Sequence, residues 1–422
     1  KALIAAAEAA HGIRTSSRFG FNGHEPEIDF AGINDHVRDV IASVAPHDSI
    51  ERFTGLGVEV INGSARFIGP DAVAVGSRTV KARRFVIATG SRAFVPPIPG
   101  IDSVPVLTNE TVFDLRERPE HLIVIGAGPI GVELAQAHRR LGSRVTIIEM
   151  ASMMPKDDPE AVDVVRRQIQ TEGILLLEHA KVGSVARIGN SITVMFHQDG
   201  VEQRAVGTHL LVAAGRRPNV ENLGLPAAGI DHDNRGVKVD ARLRTTNKRV
   251  FAVGDVAGGL QFTHVAGYHA GIVIRNALFN LPAKAEYRAV PWVTFTDPEL
   301  AHVGLAEERA RAEDASVTSL KWPFSENDRA QAERATEGFI KVIVGKKGTI
   351  LGATIVGRHA GELILPWVVA VQKQLKIRDM ATVIAPYPTL SEVSKRAAGA
   401  WYAPKLFSER TRRLVRMMQM LP

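Results

Sequence analysis

Leu122-Ile-Val-Ile-Gly126-Ala-Gly128-Pro129-Ile130-Gly131-Val-Glu133 is the stretch that decides the fold of this 422-residue chain. Four apolar residues predict a strand, and the three glycines that follow keep the G-x-G-x-x-G spacing. The first glycine permits a tight turn, the second lets backbone approach a pyrophosphate, and the third lets a helix pack closely on the strand. The helix that then opens offers unpaired N–H groups and the positive end of its dipole to an anion. Such a spacing alone is a weak signal. Here it follows a predicted strand and precedes a predicted helix over Ile130 to Leu141. The next strand, Arg144 to Ile148, leads to Glu149, 18 positions after Gly131, which is the context that makes the motif a dinucleotide site. A carboxylate at that place accepts hydrogen bonds from ribose hydroxyls and repels a 2′-phosphate, so NAD is expected, with NADP kept as the alternative because Arg144 or Lys156 lies nearby.

Working outward, residues 2 to 10 read as a helix, and residues 55 to 90 as a β-rich segment with short runs at Val58 to Ile61 and Ala72 to Val75. Pro96, Pro97, Pro99 and Gly100 break regular structure. Beyond the nucleotide turn come a helix from Pro159 to Thr171, strands near Ser191 to Phe196, Leu210 to Ala213 and Val250 to Val253, and a helix near His269 to Leu278. After Tyr287 strands (Phe339 to Val344, Ile350 to Val356) precede helices (Gly361 to Leu375, Leu390 to Ala403), an α+β unit.

Hydrophobic residues make up 45% and charged residues 23%, a globular composition with room for several domains. No segment reaches the roughly 18 to 20 apolar residues of a membrane helix, so a soluble protein is expected. The opening Lys1-Ala-Leu-Ile-Ala-Ala-Ala is interrupted by Glu8 and reads as an amphipathic helix, not a signal peptide. The net charge of +7 owes much to Lys395, Arg396, Lys405, Arg410, Arg412, Arg413 and Arg416, read as a solvated helix face and not a nucleic-acid surface. Whether the basic tail Arg410 to Met420, with Leu414, Val415 and Met418 on one stripe, packs on a partner subunit or touches a membrane is left open. There is no cysteine, so thiol nucleophiles and zinc-thiolate sites are excluded within these residues. That agrees with a reducing compartment, and a cytoplasmic location is expected.

Two patches place a small-residue turn after an apolar strand: Ile87-Ala88-Thr89-Gly90-Ser91, and Val250-Phe-Ala-Val-Gly254-Asp255. Either is alone a plain strand exit. In the second, Asp255 has the chemistry to hold a ribityl hydroxyl and Gly254 the freedom to approach a phosphate; Thr263 and His264 would then open a helix toward a flavin ring. No metal site is expected. Asp231-His-Asp233-Asn-Arg235-Gly236 begins like a calcium loop, but Arg235 and Arg242 fall where ligands are required. His264 and His269 are five apart and do not share a helix face.

Together with Ala214-Gly215-Arg216-Arg217-Pro218-Asn219, these patches resemble the ordered signature of the class I pyridine nucleotide-disulfide oxidoreductases, in particular the dihydrolipoamide dehydrogenases and mercuric reductases. Val293-Thr-Phe-Thr-Asp297-Pro298-Glu299, Gly338-Phe-Ile-Lys341, Ile350-Leu-Gly352-Ala and Pro388-Thr389-Leu-Ser-Glu392 resemble the family's C-terminal domain in the same order. The resemblance implies an α/β protein with two Rossmann-like domains, for FAD and NAD, and an α+β interface domain that makes a homodimer. The expected divisions are 1–118 (FAD, first part), 119–247 (NAD), 248–288 (FAD, second part) and 289–422 (interface). It also implies that Ala88, Thr89, Gly90, Gly254, Asp255, Thr263 and His264 serve FAD, that Gly126, Gly128, Pro129, Ile130, Gly131 and Glu149 serve NAD, and that Gly215 is a further cofactor-binding residue.

In that family a redox pair of cysteines precedes a segment ending in lysine. Lys1 looks like that lysine, so the resemblance implies that an omitted N-terminal segment carries the thiols and the first FAD strand. It further implies that Lys1 sits near the flavin, paired with Glu133, where a cation stabilises reduced flavin; Glu133 equally answers the helix dipole. Tyr387 departs from the pattern of dihydrolipoamide dehydrogenases, which carry histidine there as acid-base. Tyrosine, with an ordinary pKa of about 10, is a poor base at neutral pH. Mercuric reductases and soluble transhydrogenases resemble this chain in having tyrosine. Glu392 is expected to orient Tyr387 or to cap a helix.

The expected activity is hydride transfer from the nicotinamide to FAD, then to a redox disulfide and to a disulfide, metal-thiolate or other small electron acceptor. A transhydrogenase or NADH oxidase without a disulfide, and a non-catalytic dinucleotide-binding protein, are the rival readings.

Overall fold

The computed structural model describes residues 1–420. The first helix runs from Ala2 to Thr15 and buries Leu3, Ala7 and Ala10, one stripe at helical spacing. That stripe packs on the helices Pro129–Arg140 and Phe30–Val44, the latter opened by Asp29, whose carboxylate accepts the Gly32 N–H at 3.0 Å.

Val58 to Ile61, expected as a strand, is irregular chain. Val58 and Val60 are exposed, so the alternation has no face to bury and no neighbouring strand to complete its hydrogen bonds. The β-rich segment is instead an antiparallel meander of Ala65–Gly69, Ala72–Val75 and Arg78–Lys81. Next to it Phe85–Ile87 pairs in parallel with Val250–Ala252, so that Ala88-Thr89-Gly90 and Gly254-Asp255 emerge side by side from the same ends of the two strands.

Five parallel strands form the nucleotide sheet, in the order Val106–Leu107, His209–Val212, His121–Ile125, Arg144–Ile148, Leu175–Leu177. Leu122, Ile123 and Val124 have no exposed surface. Helices and the three-stranded sheet Lys181–Ile188, Ser191–Gln198 and Val201–Gly207 bury both faces, which is why the central strand reads as continuous apolar sequence.

The C-terminal unit is an antiparallel sheet in the order Pro291–Thr294, Glu299–Gly304, Ile350–Gly357, Phe339–Val344, Thr318–Pro323. The helix expected over Gly361 to Leu375 is two, Ala360–Leu363 and Leu365–Gln372, because Pro366 has no N–H to continue the ladder. Leu365–Gln372 and Glu392–Ala400 meet through the buried Trp367, whose Nε1–H donates to Ser394 Oγ at 3.0 Å.

Packing draws the seams between units differently from the expected divisions at 118 and 247. Val106–Leu107 is an edge strand of the nucleotide sheet, and Ile101 and Val104 join its core. On the other side, Arg216–Pro218 pairs with Ser91–Ala93, and Val220, Leu225, Ile230 and Val237 share a core with Phe67, Ile87 and Val250. A two-residue strand carries too little pattern to announce which sheet it joins. No helix among the described residues is long and apolar enough to cross a membrane.

Candidate functional site

The nucleotide turn is shaped by steric contact. Gly126 has φ +107, and a Cβ there would meet Ala213 O at 2.6 Å; one on Gly131 would meet Gly126 O at 2.0 Å. Around Gly128 a Cβ would meet no protein atom within 4 Å, so that position faces open space at the start of the Pro129–Arg140 helix, which Ile130 continues. Glu149 lies at the adjoining strand end and also braces the turn: Ala127 N–H donates to its Oε2 at 2.7 Å and Ala151 N–H to its Oε1 at 2.8 Å. The bracing of the turn by its own acidic residue had no signal in the sequence beyond spacing.

The two turns that follow Phe85–Ile87 and Val250–Ala252 are clamped to a third segment. Thr89 Oγ1 donates to Asn219 O and Asn219 Nδ2 to Thr89 O, both at 2.8 Å. Ser91 Oγ–H donates to Asp255, Arg216 Nε donates to Ser91 Oγ at 2.8 Å, and Arg216 lies 3.6 Å from the Asp255 carboxylate. Gly215, with φ +127, turns the chain into this segment. Gly90 and Gly254 have φ +64 and +68, and open space surrounds Gly90. An apolar cleft of about 280 Å³, lined by Phe67, Val73, Phe85 and Leu223, reaches Ala88 and Thr89.

The helix Thr263–Ala277 starts beside Gly254. His264 stacks on Phe262, and its Nε2–H donates to Pro291 O at 2.9 Å, so this ring is tied to the C-terminal unit. Thr263 is exposed and makes no side-chain hydrogen bond among the described residues.

Lys1 and Glu133, 132 residues apart, are paired at 2.7 Å. The ammonium also lies 3.6 Å from the centre of the Phe295 ring, and the other Glu133 oxygen accepts the Phe295 N–H at 2.9 Å. Glu133, Gln136 and Arg140 share one helix face and grip the same short segment. Gln136 exchanges two hydrogen bonds of 2.8 Å with the Asp297 backbone, and Arg140 pairs with the Asp297 carboxylate at 2.9 Å and with Glu172 at 2.6 Å. Lys1, Glu133, Phe295 and Glu299 line a cavity of about 220 Å³. Burial raises the Glu299 carboxyl above the ordinary range, against the Gly361 N–H it accepts.

Tyr387 stands apart from this cluster. It is 71% exposed, and its hydroxyl donates to Asp328 Oδ2 at 2.9 Å. The pairing expected with Glu392 is absent, as is the expected cap: Glu392 opens the helix Glu392–Ala400 without a side-chain hydrogen bond, and its N-cap Ser391 makes none to the backbone. The intervening segment carries the phenol away from the helix start and toward the Asp328–Ala332 helix. Asp328 raises the Tyr387 pKa above its ordinary value through the hydrogen bond and its charge.

Residues 1–270 match the family described as pyridine nucleotide-disulphide oxidoreductase, and residues 290–398 match its dimerisation domain. A mercuric reductase from Bacillus cereus is 34% identical over 94% of this chain; the chain spans 63% of that relative's length. A dihydrolipoyl dehydrogenase from Geobacillus stearothermophilus is 32% identical over 94% of the chain and 86% of the relative. Among solved structures, LpdA from Mycobacterium tuberculosis superposes with a TM-score of 0.86 at 28% identity, covering 95% of this chain and 89% of that one. The HOCl-induced flavoprotein disulfide reductase RclA from Escherichia coli gives 0.82 at 28%, covering 94% and 88%.

Proposed function

The chain belongs to the pyridine nucleotide-disulphide oxidoreductases, and from that premise we propose that it is an FAD-dependent NADH oxidoreductase, working as a homodimer, that delivers electrons through a redox disulfide to a small acceptor. A disulfide and a metal-thiolate are the acceptor chemistries this reading favours, and the cytoplasm is its location. The observation that carries it is that one helix links the two candidate cofactor regions: Pro129–Arg140 begins at the Gly126–Gly131 turn and, just past its first turn, presents Glu133 to Lys1.

The residues fit both groups. Gly128 leaves open space at the start of the Pro129–Arg140 helix, whose first N–H groups could hold a pyrophosphate, while Gly90, Gly254 and Asp255 sit at the carboxyl ends of parallel strands, where α/β sheets hold nucleotides. When bound, NADH supplies a hydride, and FAD accepts it and passes the electrons on. Glu149 would hold the ribose hydroxyls with the carboxylate that now braces the turn. Glu133 and the Phe295 ring hold the partly exposed Lys1 ammonium, which in this reading would place a positive charge at the flavin side.

The 422 residues contain no cysteine, so in this reading the dithiol is supplied from outside them. An anaerobic NADH titration of the full-length protein, read by visible absorbance and thiol titration, tests it. The expected result is loss of a flavin band together with two new thiols. Flavin reduction without new thiols would leave direct transfer to the acceptor as the surviving activity. Absence of any flavin spectrum would remove the reading altogether.

A further inference from the structure

His269 has no part in the proposed chemistry, yet its position constrains it tightly. It lies in the middle of the Thr263–Ala277 helix and is 2% exposed. Its Nδ1 faces the Gly254 N–H at 3.1 Å, and its Nε2 faces the Tyr287 hydroxyl at 2.9 Å. A backbone N–H can only donate, so Nδ1 must be unprotonated, and the neutral ring therefore carries its hydrogen on Nε2, which donates to Tyr287.

We propose that His269 is a positioning residue for FAD: it holds the Gly254-Asp255 turn through the Gly254 N–H, and its protonation releases the turn and with it the cofactor. The proposal rests on the assignment of FAD to that turn.

Adding a proton to Nδ1 would turn an acceptor into a donor, so that two N–H groups would point at each other across 3.1 Å. Gly254 has little room to yield. It is held at φ +68, and a Cβ on it would already meet Ala266 at 3.0 Å. Relief requires the turn to move, and Asp255, tied to Ser91 and Arg216, moves with it.

Nor is the imidazolium compensated. The titratable groups around the ring are Tyr287, in edge contact, and Tyr268 on the same helix, whose hydroxyl accepts the Glu286 N–H at 2.9 Å. Glu286 itself pairs with Arg288, and Asp255 is engaged by Ser91 and Arg216. No carboxylate among the described residues lies within ion-pair distance of His269. Burial accordingly lowers its pKa below the ordinary histidine value.

The sign follows from linkage. A histidine whose pKa is lowered in the FAD-holding state and ordinary in the released state favours holding at all pH above about 6.5. Below that value release takes up a proton, and affinity falls until the pH passes the lowered pKa. Across that window the FAD dissociation constant should rise about tenfold per pH unit.

The test measures FAD dissociation from the full-length holoprotein by the recovery of free-flavin fluorescence between pH 8 and pH 5. The wild type should lose affinity below about pH 6.5. His269→Gln, whose amide oxygen can still accept the Gly254 N–H but does not titrate, should hold FAD with an affinity flat over the same range. A flat wild type, or a His269→Gln protein with the wild-type slope, would overturn the proposal. Should the variant fail to fold, ¹⁵N imidazole shifts of the wild type decide: a hydrogen on Nδ1 at pH 8 would overturn it, and one on Nε2 supports it. A wild type with no bound FAD at pH 8 would instead overturn the assignment of FAD to the turn.

Discussion

The Gly126–Gly131 turn and the segment around Tyr387 are both read as functional, and they are built in opposite ways. At the turn the fold itself dictates part of the proposed site: Gly131 is a glycine because Gly126 O would lie 2.0 Å from any Cβ. At Tyr387 the fold asks for almost nothing. The phenol is 71% exposed, Ile384 three residues earlier is 91% exposed, and one hydrogen bond to Asp328 fixes the hydroxyl. Where a residue's identity is dictated by contacts within its own chain, substitution tests the fold first. A residue whose surroundings are left open is expected to reveal itself only when an acceptor or a second subunit is present, and residues 290–398 match a dimerisation domain.

The sharpest way to break that contrast is Gly131→Ala. The added carbon would strike backbone, which cannot rotate aside as a side chain can, and Ala213 Cβ would lie 3.4 Å away. The expected cost is about 3 kcal/mol, at the upper end for overpacking, with a fall in Tm of roughly 5 °C or more and no measurable NADH binding. A variant with wild-type Tm in thermal unfolding would show that the turn is not closed by this contact.

Gly128→Ala sharpens the same comparison within the turn. Gly128 has φ −73 and ψ 177, which alanine adopts without strain, and a Cβ would meet no protein atom. Its obstacle would be the dinucleotide itself. The Tm should stay within about 1 °C, while the Kd for NADH rises about tenfold, or about 1.4 kcal/mol. Equal loss of stability and affinity would mean that Gly128, like Gly131, is there for the fold.

This difference also explains what could be read from sequence. The strand, turn and helix from His121 to Arg140 were legible because their signals are contiguous and each is enforced by its neighbours. The Lys1–Glu133 pair was reached through family resemblance and not through spacing, since nothing local links positions 132 apart. Three features had no usable signal: the Asp255–Ser91–Arg216 clamp, the His269–Gly254 bond and the choice of Asp328 over Glu392 as partner of Tyr387. Each joins segments brought together only by tertiary packing. At Val58 to Ile61 an alternating pattern had no sheet to join, so periodicity without a partner predicted a strand that does not form.

Tyr387→Phe is the variant with the smallest expected effect on the isolated fold and the one that probes the open end of the comparison. Removing an exposed hydroxyl leaves the ring in place, so Tm should move by no more than about 1 °C. Asp328 raises the pKa of the phenol, so at neutral pH it stays protonated and cannot serve as a base; its single O–H, which Asp328 accepts in this structure, reaches an acceptor only by turning away from that carboxylate. Its role in the proposed reaction is therefore with the acceptor. In stopped-flow measurements reduction of the flavin by NADH should keep its wild-type rate, while turnover with a thiol-bound metal or a disulfide falls tenfold or more, within the range for loss of a positioned donor. Because the donor is already protonated, the wild-type rate should show no activation as pH rises toward the ordinary tyrosine value of about 10. A rate that instead climbs with deprotonation would assign Tyr387 the role of base and make its hydrogen bond to Asp328 an obstacle to catalysis.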